Sequence, residues 1–352
     1  MINLVTGASG FLGSYLARTL LANGEKVRAL RRPGSDLRLL GQDASRIDWV
    51  ESDLLDPLGL EEALQGVSTV YHAAAVVSFK AGDQHAMRRV NAEGTATLVN
   101  ACLDAGVGTL LHVSSVAAIG RKAGVPLLDE SIPWELNRHS TEYALSKHLA
   151  EREAWRGWAE GLNLVVVNPG TILGAGFWQQ GTARFFARAD EGLRFYTRGG
   201  TGFVDVRDVA AACLLAVRKG LRGERYILVG ENESYRALFS SICRAQDKPE
   251  PAYEAGPWLL GALWRWEALK AAVTRKSPDL TRENARIIGS YYRYDNQKFA
   301  QASGMRFRPL PASIADTALA YRLSRQAGLP YGLLEPDVLQ PDGLPHEALR
   351  PA

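Results

Sequence analysis

Short, uninterrupted apolar runs alternate with helical patterns through the first half of the chain. Ile2 to Val5 predicts a buried strand that leads straight into a glycine-rich turn. Leu12, Leu16 and Leu20 then share one face of a helix that Gly24 is placed to stop. Further strands are predicted at Lys26–Leu30, Ile47–Val50, Val67–Ala75, Thr109–Val113 and Leu162–Val167. Helical stretches separate them around 58–65, 84–105 and 141–160. Strands that are apolar throughout, alternating with helices, predict a parallel sheet covered on both faces. The expected fold class is α/β and doubly wound.

Beyond Pro169 the pattern loosens. Helices are expected at 182–192, 207–218, 234–246, 257–273 and 279–289, with a strand at Arg225–Val229. The predicted division is a first domain over 1–175, to which 203–230 returns, and a smaller, mostly helical lobe from 176–202 and 231–330. Pro336, Pro341, Pro345 and Pro351 crowd the remaining segment, 331–352, and predict an extended or partly disordered tail.

Composition changes this picture little. The chain has 352 residues, 46% of them hydrophobic and 22% charged, in the range of ordinary globular proteins. Its net charge of +3 comes from Lys and Arg spread along the sequence, so nucleic acid is not an expected partner. Cys102, Cys213 and Cys243 are too few and too scattered for a disulfide framework or a zinc site; they read as buried thiols, and no metal is expected. A strand at the very start leaves no room for a signal peptide, and no apolar run has the length of a membrane span. A cytoplasmic protein, not integral to a membrane, is the expectation.

The turn after the first strand reads Thr6-Gly7-Ala8-Ser9-Gly10-Phe11-Leu12-Gly13. A lone glycine triplet is weak evidence, but this one follows a strand and opens an amphipathic helix, as dinucleotide binding requires. Gly7 permits the tight turn, Gly10 lets the backbone approach a pyrophosphate, and Gly13 lets helix and strand pack closely. Ser9, Phe11 and Leu12 complete the loop at the helix N-terminus, whose N–H groups favour phosphate. An acidic residue at the end of the second strand would hold the ribose 2′-OH of NAD; Arg31 and Arg32 stand there instead. A guanidinium can grip a 2′-phosphate with paired hydrogen bonds, so the expected cofactor is NADP(H).

The three-apart spacing of Gly7, Gly10 and Gly13 resembles the extended short-chain dehydrogenase/reductase superfamily, whose members carry a Rossmann domain. Other landmarks follow in that order. They are Ser52-Asp53-Leu54, His72-Ala73-Ala74-Ala75, Asn91-Ala92-Glu93-Gly94-Thr95, Val113-Ser114-Ser115-Val116, Tyr143-Ala144-Leu145-Ser146-Lys147 and Asn168-Pro169-Gly170-Thr171. Phe203 to Ala210 resembles the strand-to-helix signature of extended members, and the match spans about 1–320. The resemblance implies that Asp53 and Leu54 meet the adenine, that Ala73, Ala74 and Ala75 line the cofactor, and that Pro169, Gly170, Thr171 and Ile172 lie against the nicotinamide.

Tyr143 and Lys147 are four apart on a predicted helix and share a face. Such a pair alone is an ordinary surface feature; the serine and the glycine loop upstream make it chemical. A nearby ammonium favours phenolate, so Lys147 is expected to lower the Tyr143 pKa toward neutrality. The resemblance implies that Tyr143 is the acid/base, that Tyr143 and Lys147 both contact the cofactor, Lys147 at the nicotinamide ribose, and that Ser115 hydrogen-bonds the substrate oxygen. Ser114 is the rival serine; Ser115 is preferred because its distance to Gly120 matches the family pattern. Asp205 and Asp208 read as structural hydrogen-bonders, and His72 and His112 as core or backbone-bonded residues.

The nearest branch resembles dihydroflavonol-4-reductase. The implied activity is NADP(H)-dependent interconversion of a carbonyl and an alcohol on a small, hydrophobic substrate, as in hydroxysteroid dehydrogenases. Two alternatives stand beside it: a sugar-nucleotide epimerase or dehydratase, and a non-catalytic dinucleotide-binding sensor. Arg31 and the Asn168-Pro169-Gly170 turn lean away from the first, and the intact Ser115, Tyr143 and Lys147 away from the second. Trp258, Trp264 and Trp266, with Leu259, Leu260, Leu263 and Leu269, form an aromatic helix candidate expected to pack on the first domain, with a pocket wall or a membrane surface as other readings. The helices at 84–105 and 141–160 are a candidate homodimer interface.

Overall fold

The computed structural model describes residues 1–78, 82–121, 125–136, 140–274 and 288–340, with several side chains of 257–274 excepted. The chain begins with β1 (Ile2–Thr6), α1 (Phe11–Ala22), β2 (Lys26–Arg31) and β3 (Asp48–Glu51). It continues through α2 (Pro57–Leu64), β4 (Val67–His72), α3 (Gln84–Arg88) and α4 (Gly94–Asp104), then β5 (Thr109–Val113), α5 (Glu142–Ala159) and β6 (Leu164–Pro169). The second half holds β7 (Thr171–Leu173), α6 (Arg184–Asp190), β8 (Phe195–Tyr196), β9 (Gly200–Asp205), α7 (Val206–Arg218) and β10 (Glu224–Leu228). β11 (Glu231–Ser234), α8 (Tyr235–Ala245), β12 (Tyr253–Glu254), α9 (Pro257–Thr274), α10 (Gln297–Ser303) and α11 (Leu310–Gln326) follow.

Seven of these strands form one sheet in the order β10-β6-β5-β4-β1-β2-β3. Its paired strands are all parallel. Leu4, Val70, Leu110, Val165 and Val166 are wholly buried, which is why these strands are apolar without alternation. β1 is flanked by β2 on one side and β4 on the other, so the winding reverses there. A crevice opens beyond the carboxyl ends of strands at such a switch point. α7 is buried from Val206 to Ala216 and packs on α1; its alanines allow the close approach. β9 pairs with β7 and β11 in a separate three-stranded sheet.

The predicted strands and helices of the first half lie close to where the apolar pattern put them, with four main differences, one being that the sixth strand runs over Leu164–Pro169, two residues later than predicted. β4 ends at His72 rather than Ala75, because Ala73 and Ala74 turn aside to bond Thr6. The predicted helix 84–105 is broken by a π turn over Arg89–Glu93, where Asn91 leaves the regular pattern to bind Val76. The third strand is displaced one residue, to Asp48–Glu51.

In the second half the predicted helix 279–289 falls largely outside the described residues, and Ile288 and Gly289 lie in a turn. α10 and α11 were not anticipated. Pro309 and Pro311 suggest a loop, yet Pro is tolerated in a first helical turn, where its missing N–H has no partner to lose. The tail is extended but held as far as residue 340. Arg18 donates to the Leu334 carbonyl (2.9 Å), Tyr15 accepts from the Leu334 amide (3.0 Å), and Asn23 accepts from the Leu339 amide (2.8 Å). Leu334 and Leu339 are buried against the core; 341–352 lie outside the described residues.

Candidate active site

The glycine loop closes on itself at the switch point. Gly7 adopts φ +75°, and its amide neighbour Gly10 donates to the Gly7 carbonyl at 2.9 Å. A Cβ on Gly13 would sit 2.0 Å from that same carbonyl oxygen, and one on Gly7 would meet Ala74 Cα at 2.7 Å. Only hydrogen fits at either position. No side chain caps α1 at Gly10, so its first-turn N–H groups remain available to an anion. Ser9 and Leu12 are half-buried, and the Phe11 ring packs edge-on against Tyr15, 5.9 Å away. This cradle fits a dinucleotide pyrophosphate.

The other predicted cofactor residues lie at or just beyond the carboxyl ends of β2, β3, β4 and β6. Ala73 and Ala74 are half-buried and bonded through their amides to Thr6, while Ala75 is exposed. Asn91 clamps the following Val76 through both of its backbone groups, at 2.7 and 2.9 Å. Leu54 is buried against Gly94, and Asp53 uses one carboxylate oxygen to cap its own turn at the Leu55 amide (3.0 Å). At the end of β2, Arg31 lies over the Trp49 ring at 5.8 Å and Arg32 occupies an exposed turn with Ser35. The nearby Asp36 is already paired with Arg38, at 2.6 Å. Pro169 ends β6, and Gly170, Thr171 and Ile172 are half-buried where β6 gives way to β7.

α5 carries Tyr143 and Lys147. Thr141 caps it by accepting from the Ala144 amide (2.9 Å), which fixes the first turn and the direction of Tyr143. The Ser115 hydroxyl hydrogen-bonds the Tyr143 phenol. One turn on, Lys147 is buried and donates to the Val113 carbonyl at 2.7 Å. Burial pushes the Tyr143 pKa up, and the Ser115 bond only partly opposes it. The expected fall toward neutrality is therefore reversed, because the Lys147 ammonium is aimed at a backbone carbonyl and desolvation prevails. Burial lowers Lys147 itself to about 8, opposed by Glu151.

The two serines diverge. Ser114 turns into the core and donates to Glu151 at 2.5 Å, whereas Ser115 faces the phenol. His72 is bonded to side chains rather than to backbone: Thr6 Oγ1 lies 2.7 Å from Nδ1 and Thr95 Oγ1 2.9 Å from Nε2. Both ring nitrogens of His112 lack partners among the described residues. Burial pushes His72 down to about 3 and His112 well below its usual value, so both are neutral core groups. Asp205 and Asp208 bond Arg207 and Arg308, as structural residues would. The three cysteines are buried, and no group of His, Cys, Asp and Glu among the described residues could hold a metal.

Sequence reasoning missed Glu151, Asn168 and Asn91 as site residues. A carboxylate four residues beyond Lys147 on the same helix face was the available signal for the first. The tryptophan helix also departs from expectation. Leu260 is buried, but Trp258 and Trp266 are 85% and 63% exposed, and Trp264 is covered by Arg265; the Leu263 and Leu269 side chains lie outside the described residues. No described helix is long and apolar enough to cross a membrane.

The profile of the NAD dependent epimerase/dehydratase family matches residues 3–229. The chain is 32% identical over 330 residues to sterol demethylase protein B of Methylococcus capsulatus, covering 92% of this chain and 98% of that protein. It is 34% identical over 324 residues to a putative dihydroflavonol 4-reductase of Synechocystis, with 89% and 92% covered. The crystal structure of gox2253 superposes with a TM-score of 0.78 at 32% identity, covering 93% of this chain and 98% of that one.

Proposed function

The chain belongs to the NAD dependent epimerase/dehydratase family, the extended short-chain dehydrogenases/reductases, and we propose that it is an NADPH-dependent reductase of a hydrophobic ketone or aldehyde. The observation that supports this reading is the hydrogen bond between Ser115 and Tyr143, with Lys147 one turn on along α5 and bonded to the Val113 carbonyl, in a fold whose first strand ends in the glycine cradle. Bound nicotinamide would supply the hydride; the side chains hold substrate and deliver a proton. Ser115 orients the carbonyl oxygen and Tyr143 protonates it as the carbon is reduced. Lys147 offsets the charge left on the phenol. A tyrosine held in its acid form by burial suits the reducing direction.

The preference for NADPH rests on Arg31 and Arg32, which occupy the end of β2 where an acidic residue would select NAD. Ala73, Ala74, Pro169, Gly170, Thr171 and Ile172 would flank the dinucleotide across the crevice, with Asp53 and Leu54 at its adenine end. The names of two relatives, a sterol demethylase protein and a putative dihydroflavonol 4-reductase, support a polycyclic substrate class.

A panel of apolar ketones and aldehydes, followed at the nicotinamide absorbance with NADPH and with NADH, tests the reading. NADPH should be preferred, and Arg31→Ala with Arg32→Ala should lower the NADPH/NADH ratio of kcat/KM about tenfold or more, the worth of one or two charge-assisted bonds. Equal use of both cofactors, unaltered in the double variant, would remove the case for NADPH. Turnover of nucleotide sugars without net change in absorbance would replace the reductase reading with epimerisation.

A further inference from the structure

Glu151 lies one turn beyond Lys147 on α5, on the same helix face and 3% exposed. Four donors converge on its carboxylate. Ser114 Oγ and Asn168 Nδ2 reach one oxygen at 2.5 and 2.9 Å; Arg225 Nη1 and Trp155 Nε1 reach the other at 3.2 and 3.3 Å. These come from the end of β5, from β6, from β10 and from α5 itself. The partners sit next to working parts of the site: Ser114 precedes Ser115, and Asn168 precedes Pro169-Gly170 while also donating to the Ser115 carbonyl at 3.0 Å.

We propose that Glu151 is a positioning residue for the reaction, its buried carboxylate serving as counter-charge to the Lys147 ammonium and as the tie that sets Ser115 and the Pro169-Gly170 turn against Tyr143. The inference rests on the reductase reading for its kinetic consequences, but not for its effect on cofactor binding.

The groups around this pair fix the sign of its effect. His72 on β4 and His112 on β5 face Lys147, and burial keeps both neutral. Tyr143 stands one turn before it on the same helix. Arg225 faces Glu151 from β10, and His148 and Arg152 lie beside it on α5. Glu151 is therefore the anion set against the burial that depresses Lys147. Arg225 attenuates it from the far side. Removing the anion should drop the Lys147 pKa further, and removing Arg225 should raise it.

Two variants move the same network in opposite electrical directions. In Glu151→Gln the alkaline fall of kcat/KM and of NADPH affinity, read by nicotinamide fluorescence, should come about one pH unit earlier than in the wild type. In Arg225→Gln both falls should come later, by a smaller amount. A brace without electrostatic function would lower the thermal midpoint in both and shift both profiles alike, or not at all; that outcome overturns the proposal. If Glu151→Gln does not fold, the direction of the Arg225→Gln shift decides alone. If no carbonyl is reduced by the wild-type enzyme, the reductase reading fails, while the NADPH-affinity profile still tests Glu151.

Discussion

Tyr143→Phe should lower kcat about 10³-fold, within the range for loss of a positioned general acid, and leave NADPH affinity at the wild-type value. The variant removes one hydroxyl and keeps the ring, so Ala144, Ser146 and Lys147 should retain their places on α5. What is lost is the proton that the carbonyl oxygen takes as its carbon is reduced. Ser115 cannot replace it, since an aliphatic hydroxyl is a far weaker acid than a phenol, and its contact with the phenol is gone. Burial holds the Tyr143 proton well past neutral pH, so the wild-type rate should not fall from tyrosine ionisation near pH 7. The fall should come as pH rises through the Lys147 value of about 8, where the ammonium that offsets the developing phenolate is lost. A Tyr143→Phe enzyme with undiminished kcat and tight NADPH binding would dismiss Tyr143 as the acid.

What could be read from residues alone divides along local and long-range lines. The glycine loop was legible because each glycine answers a local demand: Gly7 a left-handed φ, Gly13 the absence of any Cβ beside the Gly7 carbonyl. The six first-half strands were legible because a sheet buried on both faces leaves continuous apolar runs. Ser115, Tyr143 and Lys147 were legible from order and spacing. Glu151 was not, because its meaning lies in partners 37, 17 and 74 residues away. Nor was the direction of the Tyr143 shift. Spacing shows which charge is near, but not which way an ammonium points or how much water burial removes.

The second half was harder for related reasons. β7 and β11 have three and four residues, and β9 carries Gly200 and Gly202, so none has an apolar run to announce it. α11 hides behind Pro309 and Pro311. These elements gain stability from contacts across the chain, a buried ionic cluster among them.

Arg308→Ala should accordingly destabilise the fold by about 3–5 kcal/mol, the cost of stranding buried charge. Arg308 is 9% exposed and donates to Asp208 and Asp337 together, and its own amide bonds Asp208 at 2.6 Å. Beside it Arg207 pairs with Asp205 at 2.7 Å and with Asp316 at 2.8 Å, and Ser313 donates to Asp205 at 2.6 Å. One cluster thus ties α7, α11 and the tail to the end of β9 in the three-stranded sheet. Alanine would leave Asp208 and Asp337 facing each other without the cation. The loss should depend on pH. Burial already pushes the Asp208 carboxyl above the usual range and Arg308 opposes it, so the variant should raise it further. A carboxyl raised on folding costs stability as pH rises through its folded value and costs nothing below its unfolded one. The gap between wild type and variant in urea denaturation should therefore be wider at pH 8 than at pH 5. A gap that is small, or equal at both, would mean that Asp208 and Asp337 find water or other donors, and that the tail is held by Leu334 and Leu339 instead.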